Sequence, residues 1–425
     1  MATNPLPASG AWRMGDPAGH RRFFTLPADR KLAIDVGVVM EGVTTAYETW
    51  GSLNSDASNA ILLCHAWTGD SHVAGRAGEG HPTPGWWEGA VGPGLAIDTN
   101  QFFVVCANVL GGCQGSTGPA SPHPVDGKPY GSRFPVITIR DMVRTQARLA
   151  DHLGVRKWRA VVGGSMGGMQ VLEWAVTFPE RVGAIMPIAT CAQASAQQIA
   201  WGSIGRRGIT NDPKWRGGDY YDAAPGDGPH EGLSTARMVA QVTFRSDNVF
   251  TDRFGRDMVG GEGSSTLALE QKFEVERYLE YHGEKLCRRF DANSYIAIGK
   301  AMDLHDVGRA ALASGQRRIA PCPAESGAAS EAQKMNRRDH DRRKTGRAAR
   351  ACVDISRPSG GCGGGAGRHA RGFLRGLSRP RGPEPGRHPR DRRHRSRRHG
   401  APAHRISQRR ARGDGDESHR ARIYR

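Results

Sequence analysis

The sequence lacks both the cysteine spacing and the long apolar segments that would place it in several common protein classes. Its 425 residues include eight widely scattered cysteines and no Cys-x-x-Cys pair. Neither a zinc site nor a disulfide framework is indicated, so no metal is expected. No stretch approaches the roughly 18–20 apolar residues of a membrane span, and the N-terminus has no apolar run of signal-peptide length. These absences predict a soluble cytoplasmic protein with no membrane partner.

A basic excess is also absent from most of the chain, although the formal net charge of the whole is +18. Residues 1–309 contain 30 Lys and Arg against 32 Asp and Glu, whereas residues 310–425 contain 30 against 10. That C-terminal segment has only ten residues of the Leu, Ile, Val, Phe, Met or Trp types. So few apolar side chains cannot form a core, which predicts that 310–425 is a disordered Arg/Gly-rich tail.

The tail offers little for nucleic-acid recognition. Its aromatic residues are Phe373 and Tyr424, so bases would find almost no side chains on which to stack. Nucleic acid is therefore not expected as a partner. A basic arm that binds nucleic acid or acidic surfaces through charge alone stays open as an alternative.

The first part of the chain alternates short apolar runs with amphipathic segments. The apolar runs, each bounded by turn residues, are 59–64, 101–108, 158–162 and 181–188. Between them, 138–153 places its apolar residues near one helical face. This alternation predicts an α/β fold with a mostly parallel sheet. The sequence predicts a helical insertion over that sheet at about residues 190–300. Within it, apolar residues recur with helical spacing at 233–244 and 266–281.

The strongest local signal is a Gly-x-Ser-x-Gly motif centred on Ser165. It follows an apolar run directly and precedes a helical stretch, which is the setting of a nucleophile elbow. In such a turn the serine hydroxyl is exposed at the carboxyl end of a strand, and N–H groups at the start of the helix face the reacting carbonyl. The motif alone would also fit an ordinary tight turn, but its setting favours Ser165 as a nucleophile.

The segment His65–Gly69 follows the first apolar run, where α/β-hydrolases carry half of their oxyanion hole. We predict that the backbone N–H groups of Trp67 and Met166 stabilise the oxyanion. The alternative is that the Trp67 side chain only covers the edge of the sheet.

Eight stretches, in the same order, carry a recognisable family pattern. They are His65–Gly69, Ala107–Pro119, Phe134–Val143, Gly163–Gln170, Gly232–Arg237, Phe244–Ser246, Arg289–Tyr295 and Ala301–Asp306. Together they cover about residues 20–309 and resemble the homoserine O-acyltransferase (homoserine O-acetyltransferase) family of the α/β-hydrolase fold. Trp67 departs from the pattern, since leucine is common there.

This resemblance implies a ping-pong reaction in methionine biosynthesis. Ser165 would accept an acyl group from acyl-CoA, with acetyl-CoA favoured, and pass it to the hydroxyl of L-homoserine. Arg237 would bind the carboxylate of the amino acid. Acyl-CoA is then a co-substrate and no cofactor is expected, while a homodimer is suggested. Succinyl-CoA as donor and serine as acceptor stay open.

The family pattern breaks after residue 309. A serine nucleophile needs a histidine base and a carboxylate that orients it, and in this fold both follow the serine. No late apolar strand and no Gly-His-Asp motif are found there, so no triad Asp or His is assigned. The cluster Asp303, His305 and Asp306 is given a structural role. A frameshift near 309 is our hypothesis, because Arg, Gly, Ala and Pro richness is typical of GC-rich DNA read out of frame.

Two further interpretations stay open beside the acyltransferase. The first is a plain esterase or thioesterase on the same fold, against which Arg237 argues. The second is a non-catalytic product dominated by its basic tail. Domain boundaries are predicted at 1–309 for the incomplete core with its helical insertion and 310–425 for the tail.

Overall fold

The computed structural model describes residues 5–260 and 271–309. The predicted tail 310–425 and the first part of the predicted helix 266–281 lie outside these ranges. Ten strands are formed: Arg22–Thr25 (β1), Leu32–Ala33 (β2), Val39–Met40 (β3), Thr44–Trp50 (β4), Ala60–Cys64 (β5), Val91–Gly92 (β6), Ile97–Asp98 (β7), Phe103–Ala107 (β8), Ala160–Gly164 (β9) and Ile185–Ile188 (β10).

Six of these strands form the central sheet in the order β1-β4-β8-β5-β9-β10. The four strands β8, β5, β9 and β10 run parallel, and β4 and β1 are added antiparallel at one edge. The prediction of a mostly parallel sheet is confirmed. The antiparallel strands β1 and β4 were not predicted. β1 is largely exposed, and β4 is mostly buried but contains three Thr and one Glu, so both give a weaker apolar signal than the buried parallel strands.

Seven α-helices complete the described fold: Ile139–His152 (α1), Met166–Thr177 (α2), Ala196–Thr210 (α3), His230–Thr243 (α4), Asp247–Phe254 (α5), Glu274–Cys287 (α6) and Ala292–Asp303 (α7). Short 3-10 turns lie at Gly131–Arg133, Pro179–Arg181 and Pro213–Gly218. The last five helices occupy the predicted helical insertion, which is called the lid below. No described helix is long and apolar enough to cross a membrane.

The central strands are buried on both faces, which explains their continuous apolar sequences. In β5, Leu62 faces the side covered by α1 and α2, where Trp174 is fully buried. Leu63 faces the opposite side, where it packs with Val73 of a long loop. Each strand thus contributes alternate side chains to two hydrophobic clusters.

Helix α1 begins and ends at the residues that its sequence favours. The Thr138 side chain accepts a hydrogen bond from the N–H of Asp141, whose carboxylate accepts one from the N–H of Thr138. This reciprocal pair is a capping box. Gly154 follows the last turn with a φ of +73°, a conformation that ends a helix at little cost only for glycine.

Candidate active site

Ser165 lies in a strained turn between β9 and α2. Its φ is +55° with ψ −123°, a region that non-glycine residues rarely occupy. The N–H of Ser165 donates to the carbonyl of Ile188 at 2.9 Å, and Thr190 Oγ1 donates to the carbonyl of Ser165 at 2.8 Å. These bonds to the segment after β10 hold the backbone in place while the serine stays exposed. The geometry is that of a nucleophile elbow, as the sequence predicts.

The glycines around Ser165 are required by close contacts between backbones. A Cβ on Gly167 would collide with the carbonyl oxygen of Cys64, and one on Gly163 would lie 2.6 Å from the carbonyl oxygen of Gly167. Helix α2 begins at Met166, so the N–H of this residue has no acceptor inside the helix. It is therefore free to face a reacting carbonyl at the start of the helix.

The register of the sheet brings the Trp67 loop to the same edge as Ser165. Cys64, the last residue of β5, pairs with Gly163 in the parallel neighbour β9. Trp67 and Ser165 therefore follow the carboxyl ends of adjacent parallel strands. The oxyanion roles of the Trp67 and Met166 N–H groups stay predictions that this placement supports.

The side chain of Trp67 packs on the lid. Its ring stacks on that of Tyr295 with centroids 4.2 Å apart, and Nε1–H donates to the carbonyl of Tyr295 at 3.3 Å. The alternative of a sheet-edge cover stays open beside this contact. Trp67 joins the loop after β5 to helix α7.

His65 lies beside the site but is not available as a base. Its Nε2 accepts a hydrogen bond from the N–H of Val109 at 3.1 Å, so Nδ1 carries the proton and donates to the carbonyl of Ala66 at 2.8 Å. Burial lowers the pKa of His65, which keeps the ring neutral. Both nitrogens are engaged in holding the loop.

His305 and its neighbours are also engaged elsewhere. His305 Nε2 donates to the carbonyl of Cys191 at 3.2 Å. Asp303 pairs with Arg206, and Asp306 accepts from a glutamine side chain. Within residues 5–260 and 271–309, Ser165 Oγ has no hydrogen bond to a histidine. The described part of the chain therefore supplies no charge-relay partner in contact with the nucleophile.

Arg237, on α4, contacts the loop His65–Gly69, which is called the oxyanion loop below for its predicted role, through the residue after Trp67. Its guanidinium donates to Thr68 Oγ1 at 3.3 Å, while its Nε is buried and has no hydrogen-bond partner. Burial, reinforced by the nearby guanidinium of Arg289, lowers the pKa of Arg237 to about 10. A half-buried guanidinium that contacts no carboxylate of the described residues is well suited to bind an anionic ligand.

The sequence did not single out Arg289, Lys285 and His282, which surround Arg237. Arg289 donates to the carbonyl of Thr68 at 2.9 Å. With Arg237, these side chains line one cavity. Arg289 belongs to a recognised motif, but neither periodicity nor spacing could show that residues from α4, α6 and the turn after α6 converge on one cavity.

One buried cluster has the composition of a metal site. Potential ligand atoms of Glu48, His72 and His81 all lie within 4.8 Å of one another. However, the two imidazoles stack face to face, with centroids 3.8 Å apart and planes 12° apart, so their lone pairs lie in nearly parallel planes and do not meet at one point. His81 Nε2 already accepts from the N–H of His20, and His72 Nδ1 lies 3.0 Å from Glu48. The cluster fits a hydrogen-bonded core network better than a metal centre.

Known proteins share this architecture and much of the sequence. Residues 59–306 match the alpha/beta hydrolase fold family, so the match ends three residues before the predicted break at 309. The homoserine O-acetyltransferase of Thermobifida fusca (strain YX) is 54% identical over 319 residues, which are 75% of this chain and 82% of that protein.

Two solved structures resemble the described fold. The homoserine O-acetyltransferase from Bacillus anthracis superposes with a TM-score of 0.59 at 31% identity, covering 67% of this chain and 76% of that one. Esterase E22 superposes with a TM-score of 0.60 at 31% identity, covering 68% and 78%. Sequence, fold and the geometry around Ser165 agree: this chain belongs to the homoserine O-acetyltransferase family, a group of acyltransferases built on the α/β-hydrolase fold.

Proposed function

We propose that the site transfers an acetyl group from acetyl-CoA to the hydroxyl of L-homoserine, in methionine biosynthesis and in the cytoplasm. The observation that carries the proposal is the link between Arg237 and the oxyanion loop through Thr68. A cation for the amino-acid carboxylate is thereby joined to the loop beside the nucleophile Ser165. Neither water nor a simple ester would need that cation.

The first half-reaction acylates the serine. Ser165 Oγ attacks the thioester carbonyl carbon, and the N–H groups of Trp67 and Met166 donate to the oxygen that becomes negative. The carbon–sulfur bond then breaks, and the serine proton leaves with the thiol of CoA. The strained backbone at Ser165 keeps the hydroxyl exposed for this attack.

In the second half-reaction the hydroxyl of homoserine attacks the acetyl-serine ester. The ester bond to Ser165 breaks, its oxygen takes back a proton, and O-acetylhomoserine leaves. Arg237 binds the carboxylate of homoserine through its planar guanidinium and so fixes the distance between carboxylate and hydroxyl. Succinyl-CoA and serine are the competing donor and acceptor that the experiments below compare.

A plain esterase is the second candidate, and its support is the similarity to esterase E22. In that case water would take the acetyl group from Ser165, and acetate would form with or without homoserine. The ratio of O-acetylhomoserine to acetate separates the two functions.

The nucleophile is tested by incubating the full chain with acetyl-CoA, succinyl-CoA or p-nitrophenyl acetate and measuring the mass of the protein. We expect one acyl group on the peptide that contains Ser165, with acetyl-CoA preferred over succinyl-CoA, and none in Ser165→Ala. Equal labelling of both proteins would remove Ser165 from the mechanism.

The acceptor is tested on the acetylated protein. Homoserine should accelerate loss of the acetyl group and yield O-acetylhomoserine, and Arg237→Met should lower the apparent affinity for homoserine by about tenfold or more while leaving acetylation intact. Arg207→Met, an exposed arginine on α3, is the matched control. An unchanged dependence on homoserine in Arg237→Met would contradict the carboxylate role.

A further inference from the structure

A cavity of about 300 Å³ lies beside the oxyanion loop and carries an unusual concentration of positive charge. Its walls include residues 83–85 of a loop, Arg237 of α4, His282 and Lys285 of α6, and Arg289 after that helix. Three of these side chains, those of Arg237, Lys285 and Arg289, belong to basic residues. One amino-acid carboxylate would neutralise only one of them.

Carboxylates of the described residues leave most of this charge unpaired. The nearest carboxylate that the structure pairs with Arg289 is that of Asp70, at 3.9 Å. Neither Arg237 nor Lys285 forms an ion pair with a carboxylate in the described part of the chain. Cations in mutual proximity raise each other's energy, and an anionic ligand removes that cost.

The pKa values of Lys285 and His282 are both lowered in this cavity, in part by the neighbouring cations. Burial, then Arg289 and Arg237, lowers the pKa of Lys285. Burial, then Arg237 and other cations, lowers the pKa of His282 to about 4, so its ring is neutral at pH 7. A neutral imidazole in such a cavity can still donate one hydrogen bond to an anion.

The cavity lies beside the oxyanion loop. Arg237 and Arg289 both contact Thr68, the residue after Trp67, through its hydroxyl and its carbonyl oxygen. Lys285 lies farther out and is exposed, so a second anionic group could approach it from solvent. A cavity of this volume, in a segment 1–309 with 30 basic and 32 acidic residues, fits a small anion and not a nucleic acid.

We propose that Lys285 and Arg289, with His282 as a neutral hydrogen-bonding group, bind a phosphate group of the coenzyme A part of the acyl donor, which leaves Arg237 for the carboxylate of the acceptor. This inference rests on the proposed function, because it requires an acyl-CoA substrate. A phosphate carries up to two charges and three acceptor oxygens, which match two cations and one N–H donor.

The test measures binding of three non-acylating ligands to the full chain by calorimetry: coenzyme A, 3′-dephospho-coenzyme A and pantetheine, which has no phosphate. We expect Lys285→Met to weaken coenzyme A binding about fivefold, and Lys285→Glu to weaken it further. Pantetheine should bind all proteins equally. Lys300→Met, an exposed lysine on α7, is the matched control and should bind like the unaltered chain.

The three ligands identify which phosphate is bound. If 3′-dephospho-coenzyme A is insensitive to Lys285→Met, the 3′-phosphate is the group at Lys285; if it is equally sensitive, the pyrophosphate is. Added salt should weaken coenzyme A binding to the unaltered chain more than to Lys285→Met. The inference is overturned if the affinity for coenzyme A is the same in the unaltered chain and in both Lys285 variants, or if the affinity for pantetheine falls equally. It is also overturned if coenzyme A does not bind at all.

Failure of the inference and failure of the proposed function give different results. Transfer from p-nitrophenyl acetate to homoserine needs no phosphate and reports only on Ser165 and Arg237. Normal acetyl transfer to homoserine, together with coenzyme A binding that is unchanged in the Lys285 variants, would overturn the phosphate subsite alone. Lys285-dependent coenzyme A binding without any O-acetylhomoserine would support the subsite and contradict the proposed acceptor.

Discussion

Gly299 on helix α7 lies directly against the ring of Trp67, and a Cβ on Gly299 would be 2.7 Å from Cζ2 of the indole. The lid and the oxyanion loop are thus packed with no room for one additional carbon. Trp67 also donates to the carbonyl of Tyr295, on the same helix. The position of the loop therefore depends on where α7 lies.

Gly299→Ala should displace the Trp67 ring and with it the oxyanion loop. We expect a loss of about 1–3 kcal/mol in the free energy of unfolding and slower acetylation of Ser165 by p-nitrophenyl acetate. Urea unfolding and the p-nitrophenol burst measure the two effects. Trp67→Leu provides space for the new methyl group, so the double variant should lose less stability than the sum of the single variants. Strictly additive losses would contradict direct contact.

Replacing Ser165 tests the strain at the turn. Ser165 has a φ of +55° and a ψ of −123°, a conformation that glycine alone adopts without a Cβ clash. Ser165→Gly should therefore be more stable to urea than Ser165→Ala by about 1 kcal/mol. Both variants lack the hydroxyl and neither should be acetylated, so a difference in stability between them reports only on the backbone conformation. Equal stability of the two variants would show that the turn is not strained.

Buried neutral histidine should make the fold sensitive to acid. Burial lowers the pKa of His305 from 6.5 to about 4. Between these values the unfolded chain binds a proton that the folded one does not, so stability falls as the pH decreases from about 6.5 to about 4. His305→Gln removes the titrating group while retaining a donor for the carbonyl of Cys191, and should flatten the decrease.

The measurement for His305 is the free energy of unfolding in urea at four values from pH 7 to pH 4. His152→Gln, at an exposed position at the end of α1, is the control for the substitution itself. A slope in His305→Gln that equals that of the unaltered chain would show that His305 does not contribute to the acid sensitivity.

The chain as written should be a slow enzyme. Ser165 has no histidine in hydrogen-bond contact within the described ranges, and in a well-studied serine protease loss of such partners costs about 10⁴–10⁶ in turnover. Ile188 of β10 is 39% exposed at the edge of the described sheet, so aggregation is also expected.

The comparison is made with a chain whose codons after residue 309 are read in the frame that supplies a late strand and a Gly-His-Asp motif. Acetyl transfer to homoserine should be faster in that chain by several orders of magnitude. Absence of such a motif from both other frames of the DNA would reject the frameshift hypothesis. Turnover of the unaltered chain within tenfold of the corrected one would mean that another base exists.

Much of the fold follows from local sequence. The buried strands β5, β8 and β9 are continuous apolar runs bounded by turn residues, and the amphipathic period of α1 gives one buried face. The Gly-x-Ser-x-Gly motif also predicts its own turn, because the required glycines and the serine are neighbours in the chain. Local sterics and hydrophobic period carry this information, so no distant contact is needed to read it.

Helices α3, α5 and α7 were less accessible to prediction. They belong to a lid in which Trp201 and Ile204 of α3 are partly exposed, so their apolar residues do not form a clean stripe. α3 and α7 begin at the side-chain caps Ser195 and Asp291 and pack against each other, whereas α5 has no side-chain cap and packs on α6. The helical character of the lid could thus be predicted, but its element boundaries could not.

The sequence by itself determined the class of sheet, the strained serine and the family to which the chain belongs. Only the tertiary structure placed Arg237 and Arg289 on the two sides of Thr68, and Gly299 under Trp67. Arg237 and Arg289 lie 169 and 221 positions from Thr68 in the chain, and Gly299 lies more than 200 positions from Trp67. Each of the three alone resembles an ordinary surface cation or helical glycine. Their roles arise from packing between the lid and the carboxyl edge of the sheet, and packing between distant segments depends on the whole fold and not on any local pattern.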